Sequence, residues 1–445
     1  MKQIVIIFLV VFSVSTTLKS QTALGTLKYE DFNKPEYCGT SCHTDFYMQW
    51  KQSMMSQAYT HEWDEIEYFK LAIPHAEKDG KVAEVKAGCN GCHAPISYVV
   101  GDVPPPPPSQ NSRANESVQC EVCHSITGFS GDIPHNFNYI MEPGKTKFSS
   151  RVGDMESPAH KIVKTALHSS GDFCGICHNE KSPYDMWVKS THLEWKEGPY
   201  FKEGVQCQDC HMTKTEFRTA SMGTVYKDTK LHLFHGAHDP GKVRGTIELR
   251  INPDIKEAEP GEIIKFTVAL FNQKTGHKFP TGSVEDRIVW LDVEATDSKG
   301  NVYHLPVDKK GFEGEEFTIS TDVLAYQDMG IALNLPDFKG VQRDAVPYGD
   351  RIFRMPYFDP QGRMTIQQWN TSKLGVDYRI GPRETKTETF TFNLPGTLPS
   401  GEMKITAKLN YQLLVKSVGE FLEVPKEEFT PLLVNEHSTT VTILD

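Results

Sequence analysis

The chain has no long apolar run beyond its first residues, no cysteine after Cys210 and no excess of positive charge. Each absence excludes something. Past the N-terminus nothing approaches the ~20 apolar residues of a membrane helix, so no transmembrane segment is expected in the processed chain. Lys and Arg number 47 against 58 Asp and Glu, a formal charge of −11. That balance argues against nucleic acid or an anionic membrane surface as partner. Hydrophobic residues make up 38% of the 445 positions, little for a chain of this length. Either part of it is disordered, or something other than side chains fills its interior.

The N-terminus does carry an apolar stretch, Ile4 to Phe12, after Met1-Lys2 and before the more polar Ser13–Ser20. This is the order of a secretory signal peptide, too short to span a bilayer. We expect residues 1–20 to be removed, with cleavage near Ser20–Gln21 or a few residues later after Gly25. The mature chain is then periplasmic or extracellular. No cysteine lies nearby to take a lipid anchor.

All ten cysteines fall in pairs, each followed at once by histidine. Four are C-x-x-C-H: Cys89/Cys92/His93, Cys120/Cys123/His124, Cys174/Cys177/His178 and Cys207/Cys210/His211. The fifth is one residue longer, Cys38-Gly-Thr-Ser-Cys42-His43. Chance yields on the order of 0.01 copies of C-x-x-C-H from this composition, so four copies are a signal. Two thiols add to the two vinyl groups of haem, and the adjacent histidine reaches the iron as its proximal ligand. A disulfide scaffold has no reason to place histidine after each second cysteine, and zinc sites do not need it at one fixed offset. Five covalently attached haems c are therefore expected, their macrocycles serving as much of the core.

The motifs crowd into Cys38–His211, which predicts short helices and loops wrapped on haem, with one helix legible through Asp45–Lys70. Pro104–Pro108 reads as a stiff spacer dividing a two-haem lobe from a three-haem lobe. From about residue 243 the pattern changes to apolar/polar alternation in Thr246–Ile251, Ile263–Phe271, Ile288–Ala295, Thr387–Asn393, Met403–Leu414 and Thr439–Leu444. The expected fold class is α+β multidomain. A haem-packed, mostly helical or irregular cytochrome domain (21–242) precedes an immunoglobulin-like β-sandwich (243–445) with an irregular insertion around 309–385.

Several blocks carry a family resemblance: W-K-Q-S after the first motif, S-P-A-H at 157–160, G-V-Q-C-Q-D-C-H-M at 204–212, H-L-F-H-G-A-H at 232–238 and T-G-H-K-F-P-T-G at 275–282. The chain resembles the multihaem cytochromes around tetrahaem cytochrome c and hydroxylamine oxidoreductase, with an appended β-sandwich. The resemblance implies a stacked haem array with mostly bis-histidine ligation. It also implies distal ligands from the blocks holding His160, His232 and His277, and His168 and His238 complete a set of five. Of the remaining histidines, His135, His304 and His437 read as surface residues, while His61, His75, His192 and His235 stay open. Where the family often has a histidine after W-x-x-S, this chain has Met54-Met55, either packing against a macrocycle or ligating iron.

Three functions fit. One is electron transfer to or from a redox protein partner, for which the acidic balance suits a basic one. A second is a multihaem oxidoreductase acting on nitrite, hydroxylamine or a sulfur oxyanion. A third is a subunit of an extracellular haem filament or outer-membrane complex. Every motif keeps its histidine, which favours the first and an electron-transfer protein over an enzyme.

Overall fold

A computed structural model describes residues 20–152, 157–308, 323–325, 341–342 and 346–445. The expected leader and parts of the 309–385 insertion lie outside the described residues.

The C-terminal half is built from long alternating strands. In Ile263–Asn272 every second side chain is buried, as the sequence alternation requires of a strand with one face on a core. It pairs antiparallel with Thr385–Asn393 on one side and Ile247–Pro253 on the other, giving a three-stranded sheet. A six-stranded sheet holds Ile288–Thr296, Gly401–Gln412 and Leu432–Ile443 as antiparallel neighbours. Its edges carry Val302–His304 and Glu257–Ala258, the latter parallel to the last strand. The buried rows of both sheets, among them Leu249, Phe266, Leu270, Leu291, Ile405 and Val441, belong to one apolar core. Of the expected insertion, Arg351–Ile352 joins the six-stranded sheet, and Tyr357–Phe358 pairs with Lys373–Leu374.

The N-terminal half is short helices, turns and two-stranded ribbons. The single helix expected over Asp45–Lys70 is instead a succession: helix Thr44–Lys51, a 3-10 turn Met54–Gln57, helix Glu62–Ile66 and a π-helical stretch Glu67–Ala72. The break is local chemistry. The Ser53 hydroxyl donates to the Trp50 carbonyl (2.7 Å) and Ser56 to the Lys51 and Ser53 carbonyls, so serines compete for the acceptors a continuous helix needs. Residues 160–168 are not helical either: Lys161–Lys164 is a strand parallel to Thr146–Ser149, followed by a 3-10 turn Leu167–Ser169.

The halves meet over a second core. Trp63, Tyr68 and Leu71 pack there with Ile288, Trp290, Trp369, Leu414 and Val418 from the C-terminal half. By contrast, the core confined to the N-terminal half is small, drawn from Phe32, Ile96, Val99, Val122, Tyr139 and a few others.

Candidate haem-binding cavity

Four motifs sit in helices: Val85–His93, Cys120–Ser125, Gly171–His178 and Cys207–His211. A helix places the two cysteines at i and i+3 and the histidine at i+4 on one face. The extra residue of the first motif interrupts this. Helix Pro35–Gly39 ends within it, and the next helix begins directly after His43. The turn of the ribbon Lys214–Arg218/Val225–Lys230 closes over the gap, with Ser221 donating to the carbonyls of Ser41 and Cys42 at 2.7 Å each.

All ten cysteines and all five motif histidines line one continuous cavity of about 3000 Å³. Packed interiors tolerate few voids larger than a water molecule. A hollow of this size, rimmed by attachment thiols, fits large prosthetic groups. The motifs interleave in space: Cys38 lies beside Cys120, Cys92 beside Cys177, and Cys174 beside Cys207. The proline spacer therefore does not separate a pair of lobes, since the first motif meets the third and the second meets the fourth. Tyr59 instead fixes the spacer by donating to the Pro105 and Pro106 carbonyls at 3.1 Å.

In four motif histidines Nδ1–H donates to a backbone carbonyl: His43 to Thr219 (2.6 Å), His93 to Ala58 (2.6 Å), His124 to Phe148 (2.8 Å) and His211 to His235 (2.6 Å). This sets the tautomer and leaves Nε2 with a lone pair for iron. Burial pushes His232 down to about 3, and desolvation by the cavity wall together with nearby His211 pushes His178 down to about 4, so both are neutral near pH 7, as ligation requires.

The distal candidates separate by geometry. A metal–imidazole bond is about 2.0 Å and the ring centroid lies roughly 1.1 Å behind the nitrogen, so two imidazoles across one iron sit roughly 6.2 Å apart. His160 faces His43 at 6.1 Å, His232 faces His124 at 6.3 Å and His277 faces His211 at 6.3 Å, with rings inclined by 27°, 21° and 18°. His168 also lies 6.3 Å from His124, but its two nitrogens rest on Thr165 Oγ1 (2.6 Å) and the Cys123 carbonyl (3.0 Å). His238 has Nε2 3.2 Å from Glu428 and faces no motif histidine. Among the described residues no imidazole faces His93 or His178 in this way. His192 is buried over Gly175 and bonded at both nitrogens, to Asn179 and Asp172. His61 lies between Asp64 and Glu428; His75 bonds Gln367, and His235 pairs with Asp239. Met54 and Met55 both line the cavity.

His277 arrives from the β-rich half on a loop whose anchor no sequence motif announced. Glu194, on helix Thr191–Glu197, is buried and accepts four hydrogen bonds: from Arg379 Nη1 (2.6 Å), Thr281 Oγ1 (2.7 Å), Ser190 Oγ (3.0 Å) and the Lys278 amide (3.2 Å). Arg379 and these partners hold its carboxyl below the usual carboxylate range despite burial. Asp377, bonded to both Arg379 and Lys278, is held down at about 2. The clamp fixes Lys278 and Thr281, which follow His277, to the N-terminal half.

The family described as cytochrome c554 and c-prime matches residues 37–125, and the N-terminal region of the NapC/NirT cytochrome c family matches residues 157–245. The fold is similar to that of a penta-heme cytochrome c552 from Thermochromatium tepidum, with a TM-score of 0.64 and 20% identity over 92% of this chain and 99% of that one. A CARDB domain from Pyrococcus furiosus matches 45% of this chain and 92% of its own at 11% identity; its TM-score of 0.18 carries no argument. No curated protein matches the sequence. With its paired cysteines, the chain is a multihaem c-type cytochrome.

Proposed function

We propose that the chain is an exported pentahaem cytochrome that relays electrons to or from a redox protein partner, with all five motifs, the stretched first one included, carrying haem. The observation that carries this reading is the placing of five attachment motifs around one cavity, with three imidazole pairs at the spacing of axial ligands. Bound haem supplies a one-electron couple at its iron. The polypeptide does the rest. Carbonyls hold the motif histidines in the ligating tautomer, desolvation keeps His178 and His232 neutral, and contacts between motifs keep neighbouring attachment sites adjacent. His160, His232 and His277 serve as distal ligands to the irons at His43, His124 and His211. Three six-coordinate sites suit electron exchange better than substrate binding.

The same proposal places the domain boundary near residue 243, reads 243–445 as an immunoglobulin-like sandwich and sets the chain near the hydroxylamine oxidoreductase-related cytochromes. Support for the sandwich comes from connectivity. The strands starting at Ile247, Ile263 and Thr385 form one sheet, those starting at Ile288, Gly401 and Leu432 the other, and a short early strand runs parallel to the last.

An oxidoreductase role is the second reading, favoured by His93, which no imidazole faces among the described residues. Asp64, Glu67 and Asp286 line the same cavity, the first two half-buried and the last buried, carboxyls of the kind proton delivery needs. Low-temperature EPR of the oxidised protein, paired with turnover of nitrite, hydroxylamine and sulfite by the reduced protein, separates the two. Mainly low-spin iron with fast dye exchange and negligible turnover supports the relay. High-spin iron with turnover on the order of 1 s⁻¹ or more replaces it with an enzyme.

A further inference from the structure

His61, His238 and Glu428 converge from three remote stretches of chain. His61 precedes helix Glu62–Ile66, His238 lies in the connector ahead of helix Pro240–Val243, and Glu428 is on the 3-10 turn Lys426–Phe429. His61 Nε2 is 3.0 Å from Glu428 Oε1, and His238 Nε2 is 3.2 Å from Glu428 Oε2. The two rings meet edge to face at 5.1 Å. Their side chains are 11%, 28% and 14% exposed, and their ligand atoms all fall within 4.8 Å of one another.

We propose that these three residues bind one divalent transition-metal ion, at a site distinct from the haem irons. Two imidazole nitrogens and a carboxylate are a donor set that zinc and non-haem iron both use. Bonds of about 2.1 Å put neighbouring donors roughly 3.0–4.2 Å apart, and the two nitrogen–oxygen separations, 3.0 and 3.2 Å, already fall in that range. Ligating imidazoles usually give their other nitrogen to a carboxylate or carbonyl, and His61 Nδ1 is 2.9 Å from Asp64 Oδ2. Neither histidine faces a motif histidine; they face each other. All three residues lie in the wall of the cavity, and water would complete the coordination. A metal here would fasten the N-terminal half, the connector and the C-terminal half at one point. It would also be felt at the second motif, because Asp64 Oδ1 is 3.6 Å from His93 Nδ1.

Zinc is the probe, since haem iron does not enter its count. The haem-loaded chain is stripped with chelator, dialysed against micromolar Zn²⁺ and assayed for bound metal. The expected result is one zinc per chain, with affinity at least tenfold weaker in Glu428→Gln and in His238→Ala. Asp64→Asn weakens it by roughly 10–100-fold through the orientation of His61. Glu428→Gln and His238→Ala keep the parent haem spectrum, which also reports that they have folded. Cu²⁺ in the same site gives an EPR signal split by two imidazole nitrogens. No stoichiometric zinc in the parent protein overturns the proposal and leaves Glu428 as an ion-pair bridge. So does zinc uptake indifferent to Glu428→Gln, or the loss of a low-spin haem in His61→Ala or His238→Ala.

Discussion

Replacing Glu194 with alanine tests how the β-rich half contributes to the haem layer. The change removes four accepted hydrogen bonds, three of them from residues flanking His277 or bracing its loop. It also takes one counter-ion from Arg379, whose side chain is 2% exposed. Breaking a buried pair from one side costs about 3–5 kcal/mol, and Asp377, 2.8 Å from Arg379, keeps the loss near the lower bound. About 3 kcal/mol corresponds to a drop of roughly 6–12 °C in the melting of a unit of 150–250 residues. The spectral effect distinguishes positioning from bulk stability. His277→Ala should turn one of five haems from low to high spin while the clamp stays intact. Glu194→Ala should lower the same low-spin signal by a fraction, and the double variant should look like His277→Ala alone, because both act on one ligand. Melting curves and EPR on the three variants are the assay. A Glu194→Ala protein that melts early yet keeps its full low-spin intensity would refute the claim that the clamp positions His277. An unchanged spectrum in His277→Ala would refute ligation itself.

Acid should release the same clamp. Glu194 and Asp377 are both depressed in the folded chain, so their stabilisation is complete above the unfolded values near pH 4 and is lost as pH falls toward about 2. One low-spin haem should convert in that window, and a titration flat from pH 5 to 2 would contradict it. Of the two imidazoles opposite His124, only His232 has Nε2 without a partner among the described residues, so His232→Ala should yield one high-spin haem and His168→Ala none; the reverse pattern would exchange their roles. Intact mass under denaturing conditions should exceed the processed polypeptide by five haems, and by four in Cys38→Ala/Cys42→Ala. A parent mass showing four would remove the stretched motif as an attachment site.

Covalent chemistry was the most legible feature of the sequence, because thiol addition and axial ligation demand cysteine and histidine at set offsets. The long strands were nearly as plain, since alternation survives wherever one face is buried; Ile263–Phe271 and Ile288–Ala295 ended within a residue of the observed strands. Helices around the cavity were not legible. Trp50, Tyr59 and Trp63 are buried, but Trp50 and Trp63 follow the wall of a hollow while Tyr59 packs into the core between the halves, so 3.6-residue periodicity misled. Ligand pairing was hidden for another reason. Histidines outnumber irons, and what sorts them is the partner of the second nitrogen: a carbonyl of Lys278 for His277, but Cys123 and Thr165 together for His168. Glu194 and Arg379 carry no motif and are 185 residues apart.

The hollow interior of the N-terminal half bears on biogenesis. That half has little apolar core of its own, whereas the two sheets beyond it enclose a full one. Cofactor attachment is then a folding step for the first half, while the second keeps its two-sheet core and loses only the packing of residues such as Trp290 and Trp369 against that half. A nascent chain that misses the attachment machinery should present a finished sheet domain tethered to an uncollapsed, protease-sensitive leading segment. Limited proteolysis of chain made without haem should leave a resistant fragment beginning near residue 243, and equal resistance across both halves would contradict this. Protease sensitivity of the first half would then report how completely the chain is loaded.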